Sequence, residues 1–162
     1  MDWQTAQPFP LEIPFLHALG VEFLGMQNGH AEVALTLTAQ HMNSWQVGHG
    51  GVTMTLLDVA MAMAGRSLEP GAQGGVTVEM KTSFLQPAGK PGQRLVAKGH
   101  AFHRSTTMAF CEGEVWQDER LVAKAMGTFK FLKRAVGTRV TDPAANSNIA
   151  SDSSPSTLQD RD

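Results

Sequence analysis

The chain has 162 residues, 13 basic and 15 acidic side chains, and a formal net charge of −2. That length suits one domain with one substantial core, and 42% hydrophobic against 17% charged residues excludes both a disordered chain and a highly charged coil. No long basic run argues for nucleic acid as a partner, and the single cysteine, Cys111, allows no internal disulfide and fits a reducing compartment.

Residues 1–10, MDWQTAQPFP, lack the basic and apolar regions of a secretory signal and read as an irregular, proline-rich arm. Apolar residues at 11, 15, 16 and 19 predict a short helix over 11–19, with Pro14 in its first turn and Gly20 as its stop. A hairpin follows: residues 21–26, a turn at Asn28-Gly29, then 30–38. In its second arm Ala31, Val33, Leu35 and Leu37 alternate with Glu32, Ala34, Thr36 and Thr38, the period of a strand with one buried face.

Residues 39–49 break both periods and read as a loop. Residues 50–66, GGVTMTLLDVAMAMAGR, predict a helix that is apolar nearly all round and therefore covered on most sides. Its weakly polar run is interrupted by Asp58 and is shorter than the ~20 residues that span a bilayer, so a soluble, cytoplasmic protein with no membrane partner is expected.

Strands are then predicted over 76–86, 93–103, 106–116 and 120–132, joined by short turns as an antiparallel meander. The remainder, rich in Ser, Asp, Asn and Pro, reads as a disordered tail. The expected organisation is an arm over 1–10, one domain over 11–133 and a tail over 134–162. Its fold class is α+β, a five- or six-stranded antiparallel sheet wrapped around a long central helix. Such a sheet leaves one face of helix or sheet open, which predicts an oligomer.

Chemistry concentrates at the long helix. A carboxylate on an apolar helix either meets solvent or a structural arginine, or lines a cleft as a base or nucleophile, and Asp58 leaves both readings open. At the helix start, His49-Gly50-Gly51 either permits close packing or exposes amide N–H groups to which a carbonyl oxygen could be drawn. Gly50 and Asp58 are eight residues apart, ~12 Å along one helix, too far for one reacting carbon to touch both. Two antiparallel copies across a twofold axis would bring Asp58 of one to Gly50 of the other. Met54, Leu57, Met61 and Trp45 are candidates for an apolar pocket.

The run Asn43-x5-His49-Gly50-Gly51-x6-Asp58, with residues 75–80 (GVTVEM) and 84–88 (FLQPA) downstream, resembles the hotdog-fold thioesterases, in particular their phenylacetate-degradation (PaaI-like) branch. The resemblance covers residues 11–133 and implies an acyl-CoA thioesterase that releases a free acid and coenzyme A, with no cofactor beyond the coenzyme of the substrate. It also implies roles. Asp58 would be nucleophile or general base, and the Gly50 N–H would polarise the carbonyl. Asn43 would position water or thioester, His49 would orient its neighbours, and Thr77 would stand beside the carboxylate where relatives often carry Ser. Coenzyme A would run along a subunit-edge groove past Phe84, Leu85, Gln86, His103, Arg104, Ser105, Thr106 and Lys130. A dimer is the minimum assembly, and the family analogy implies a tetramer.

Other signals are weaker. No Gly-x-Ser-x-Gly accompanies His-Gly-Gly, so an α/β-hydrolase is not indicated. His100 and His103, three apart on a strand, are expected on opposite faces, and no metal site is expected. Cys111 reads as core. A non-catalytic acyl-CoA-binding or sensing protein and a hotdog hydratase or dehydratase remain as alternatives; thiol release marks the thioesterase, and water addition to an enoyl-coenzyme A without thiol release marks the hydratase.

Overall fold

The computed structural model describes residues 3, 5–69 and 74–132. The expected tail over 134–162 lies outside the described residues. Helix α1 (Pro14–Leu19) starts at its proline and ends at Gly20, and is followed by β1 (Glu22–Gln27) and β2 (His30–Thr36). The long helix α2 (Gly50–Ser67) is followed by β3 (Gly74–Phe84), β4 (Arg94–Arg104), β5 (Met108–Gln117) and β6 (Arg120–Leu132). At the β1–β2 turn Asn28 and Gly29 have φ of 51° and 81°, the paired positive values that match the twist of a hairpin. The loop before α2 contains one 3₁₀ turn, Ala39–His41.

The six strands form one antiparallel sheet in the order β1-β2-β4-β5-β6-β3. The expected meander therefore holds for β4, β5 and β6 and fails at β3, which lies on the far edge beside β6. The reason is the connection over 85–93, which crosses the end of the sheet instead of turning back. Its hydrogen bonds trace the route: Leu85 and Gln86 N–H to the Val122 carbonyl, Gly48 N–H to that of Gly89, and Gly92 N–H to that of Leu37. The connection turns tightly only as it enters β4, where the Gln93 N–H donates to the Lys90 carbonyl at 3.1 Å.

The sheet curls over α2. Leu56, Leu57, Ala60, Met61 and Ala64 are wholly buried against Val33, Leu35, Leu95, Ala97, Cys111, Val115 and Phe129. The closest approach is at Gly99, where a Cβ would sit 2.2 Å from the Ala60 carbonyl oxygen; Gly99 faces Gly113 across the ladder, so two bare positions seat the helix. Cys111 is core as expected, and burial pushes its thiol up to about 12. The arm is tied to the sheet at Gln7, whose N–H donates to the Phe23 carbonyl, while Phe9 packs on Phe23 at 5.4 Å between ring centroids.

Helix α2 is not covered all round. Gly51, Met54, Thr55, Asp58, Ala62 and Arg66 form a stripe of partly or fully exposed positions, spaced three or four apart along the side away from the sheet. Edge strand β3 is likewise open, with Val76 and Val78 exposed. Among the described residues no helix is long and apolar enough to cross a membrane.

Candidate active site

At the N-terminus of α2, His49 is the N-cap. Its Nδ1 accepts the Gly51 N–H at 2.9 Å, and its carbonyl accepts that of Val52 at 3.0 Å and, as the first helical bond, that of Thr53 at 3.3 Å. A Cβ at Gly51 would lie 3.0 Å from His49 Nδ1, so the second glycine allows the ring to fold back as a cap. With the His49 N–H, which donates to the His41 carbonyl at 2.8 Å, three of the four N–H groups that a helix start leaves without helical partners are satisfied. The fourth, that of Gly50, has no hydrogen-bond partner among the described residues. It stands at the positive end of the helix dipole with no side chain of its own in the way. The ring of Phe84, the last residue of β3, lies beside it, 3.4 Å from where a Gly50 Cβ would be.

Asp58 lies on the open stripe two turns along. Thr77 Oγ1 donates to its Oδ1 at 2.6 Å, and among the described residues no cation pairs with it. A register shift in β3 between Thr77 and Glu79 explains how Thr77 reaches the helix. The bulge puts Thr77 and Met80, three apart in sequence, on the same cleft wall, where strict alternation would separate them.

Asp58 opens into a cleft of about 450 Å³ between α1, α2 and β3. Its other walls are mainly apolar: Ile13, the N-cap of α1, with Phe15 and Leu16 from that helix, Met54, Val59 and Met63 from α2, and Met80 from β3. Of the expected pocket residues only Met54 lines it. Leu57 and Met61 are fully buried under the sheet, and Trp45 is 85% exposed on the loop before α2. The α1 wall was missed by sequence reasoning. Spacings of four from Asp58 would have found Met54, Ala62 and Arg66, because Asp58 marks the open side of a helix whose hydrophobicity alone does not.

Asn43 sits in the loop before α2. Its Oδ1 accepts the backbone N–H groups of Trp45 at 2.9 Å and Val47 at 3.3 Å, which shapes the loop and leaves the side-chain NH₂ as its free donor.

The residues expected to hold coenzyme A fall into two groups. Phe84 ends β3 on the Gly50 side and Leu85 and Gln86 begin the connection after it; Gln86 Oε1 accepts from Arg120 at 3.5 Å. His103, Arg104, Ser105 and Thr106 form the β4–β5 turn, where Ser105 Oγ accepts the Met108 N–H at 3.0 Å. Lys130 stands opposite both Met108 and Val76, at the Asp58 end. Ala123, the ladder partner of Phe84, and Lys130 are seven residues apart on β6, roughly 24 Å in one chain. Arg104 is already ion-paired with Glu69 and lies over the Phe131 ring, 5.6 Å from its centroid.

The expectation of opposite faces for His100 and His103 is corrected. A register shift between Ala101 and His103 sets His100 against Glu112 and His103 against Phe110, which lie two apart on β5 and share its outer face. His100 stacks on His30 at 4.4 Å and bonds Glu112 at 3.1 Å. Among the described residues no group of three or more His, Cys, Asp or Glu is arranged to hold a metal ion.

Comparison with known proteins gives the context of this geometry. A model of the thioesterase superfamily matches residues 46–124. Acyl-coenzyme A thioesterase PaaI of Escherichia coli is 29% identical over 142 residues, 88% of this chain and 96% of that protein. A putative esterase of Pseudomonas aeruginosa, PA0474, is 32% identical over 125 residues, 76% of this chain and 92% of its own. The solved structure of conserved protein PA5202 from Pseudomonas aeruginosa superposes with a TM-score of 0.71 at 29% identity, covering 77% of this chain and 100% of that one.

Proposed function

The chain belongs to the thioesterase superfamily, has its hotdog fold and is a thioester hydrolase, and we propose that its substrate is an acyl- or aryl-acyl-coenzyme A, cleaved to a free acid and coenzyme A. The observation that carries this reading is the pairing of one unused amide with one held carboxylate. The Gly50 N–H is without a partner among the described residues, and Asp58 is fixed by Thr77 in an apolar cleft.

In the proposed reaction the second oxygen of Asp58 takes a proton from a water molecule as the water oxygen bonds to the thioester carbon. Negative charge gathers on the carbonyl oxygen, which faces the Gly50 N–H and the positive end of its helix. Collapse of the tetrahedral adduct breaks the C–S bond, and the proton passes from Asp58 to the departing sulfur. His49 keeps the helix start in shape, and the NH₂ of Asn43 is available to the water or the thioester.

The two groups lie ~12 Å apart on one helix, so the proposal requires two copies of the chain, antiparallel about a twofold axis. The open β3 supports this. An eleven-residue edge strand with exposed Val76 and Val78 and an unpaired ladder edge is left to aggregate unless something covers it. Pairing β3 with its symmetry mate would bring the Phe84 end of one copy to the Thr77 end of the other. The two groups of coenzyme-binding residues would then meet in one groove, with Lys130 as its free cation. We take the assembly to be a cytoplasmic homo-oligomer, at least a dimer and by family analogy a tetramer.

Release of free thiol from a panel of acyl- and aryl-acyl-coenzyme A thioesters tests the reading. Thr77→Val should lower kcat about 10- to 100-fold, the loss of one hydrogen bond to a charged group, while Thr77→Ser keeps most of it. Water addition to an enoyl-coenzyme A without thiol release, or saturable binding without turnover, would overturn it.

A further inference from the structure

Among the described residues Trp45 is the most exposed large hydrophobic side chain, at 85%, and it stands on a rigid support. The loop 43–47 is closed on itself. The Asn43 N–H donates to the Val47 carbonyl at 2.9 Å, the Gln46 N–H donates to that of Asn43 at 3.0 Å, and Asn43 Oδ1 accepts the N–H groups of Trp45 and Val47. Its base is fastened at the start of α2, where Met42 bridges Gly48 and the His49 N–H reaches the His41 carbonyl. A loop held in this way presents Trp45 at its tip with little ordering left to lose on docking. The Asp58 cleft has the complementary need. Among the described residues its lining comes from α1 with the segment before it, from α2 and from β3, and two of its apolar wall residues, Phe15 and Met54, are 60% and 38% exposed. Hydrocarbon is left in water on that side until something covers it.

We propose that Trp45 of one copy closes the acyl cleft of the other, a specificity-determining wall supplied across the twofold axis. This rests on the shared-site reading, in which Gly50 of one antiparallel helix meets Asp58 of its mate. The axis then passes the residue midway between them, Met54, which lies on the exposed stripe of α2. Antiparallel pairing sets whatever precedes Gly50 in one copy beside whatever follows Asp58 in the other. The segment before Gly50 is the Trp45 loop. The residues after Asp58 that line the cleft include Val59, Ala62 and Met63, the wall along which an acyl tail lies. Ala62 is partly exposed and small, which leaves room there for an indole. An indole brings a large flat apolar face with only two side-chain torsions to fix. A short acyl group ends close to Asp58 and gains little from this wall, whereas a longer tail lies under it.

The test uses mixed dimers of an Asp58→Asn chain and a Gly50→Pro chain, isolated through two different tags so that only assembled dimers are read. Their one intact site takes Gly50 from the Asp58→Asn chain and Asp58 from the Gly50→Pro chain. Trp45→Ala is added to one chain or to the other, and kcat/KM is measured for butyryl- and octanoyl-coenzyme A. In the Asp58→Asn chain Trp45→Ala should lower the octanoyl value about 10- to 30-fold through KM, the loss of roughly 60–80 Å² of covered apolar surface, and the butyryl value less than about threefold. Trp45→Phe in the same chain should restore part of the octanoyl value. In the Gly50→Pro chain Trp45→Ala alters only the site that is already disabled. A loss that follows the Gly50→Pro chain places Trp45 over its own cleft and overturns the proposal, as do equal losses on both thioesters or none on either. Failure of the mixed dimer with both Trp45 side chains intact to recover turnover overturns the shared site, and the proposal with it.

Discussion

Replacing Asp58 with asparagine should lower kcat by about 10²- to 10⁴-fold, the range that a positioned general base contributes. Asparagine keeps the shape of the side chain and an oxygen to accept from Thr77 Oγ1, which donates to Asp58 at 2.6 Å, so the cleft wall is undisturbed. What is removed is the basic oxygen. The substitution carries little folding penalty, because Asp58 is half-exposed on the open stripe of α2 and pairs with no cation among the described residues. Melting temperature and oligomeric state should be unchanged, and KM should change less than kcat. A variant that turns over within twofold of the wild type would remove Asp58 from the chemistry.

The second large effect is expected at Gly50, where the proposed donor is a backbone group. Proline is the residue that deletes an N–H, and the first helical position is where a helix tolerates it. The preceding residue is also compatible: His49 has φ −62° and ψ 137°, the extended conformation that a residue before proline prefers. Gly50→Pro should therefore leave α2 folded and lower kcat by about 10²- to 10³-fold, as loss of one oxyanion donor does elsewhere. Gly50→Ala is the control. It keeps the N–H and adds only a Cβ 3.4 Å from the ring of Phe84, which is 52% exposed and free to give way. Alanine should stay within a few-fold of wild type. Equal losses for alanine and proline would assign the effect to crowding, not to the donor.

Much of this arrangement was legible in the sequence, for identifiable reasons. Asn28-Gly29 fixed a hairpin because few other dipeptides accept two positive φ values, and the helix after His49 announced itself through a long run without breakers. Asp58 was conspicuous as the lone charge before Arg66. The order of strands was not legible. Alternation identifies a strand and its faces but not its neighbour, and β3 reads like β5 until the crossing connection is seen. Two of the sheet's register shifts, in β3 and β4, were equally silent. Each adds one residue to a ladder, and each moved a residue of interest: Thr77 and Met80 onto one wall, His100 and His103 onto one face. The pocket was misread at Leu57 and Met61 because a helix apolar on most sides gives no phase; Asp58 supplies that phase once its side is known to be the open one.

The claim beneath all of this is that each site is shared, with Asp58 from one copy and Gly50 from the other. Co-expression of Asp58→Asn and Gly50→Pro chains with different affinity tags, and isolation of the mixed dimer, tests it directly. Each parent homodimer is impaired at both of its sites. If sites are shared, the mixed dimer has one site made of two intact partners and one made of two altered ones, so it should recover about half the wild-type turnover per dimer. If each site were built within a single chain, every site in the mixed dimer would carry a substitution, and turnover no higher than that of the parents would contradict the account.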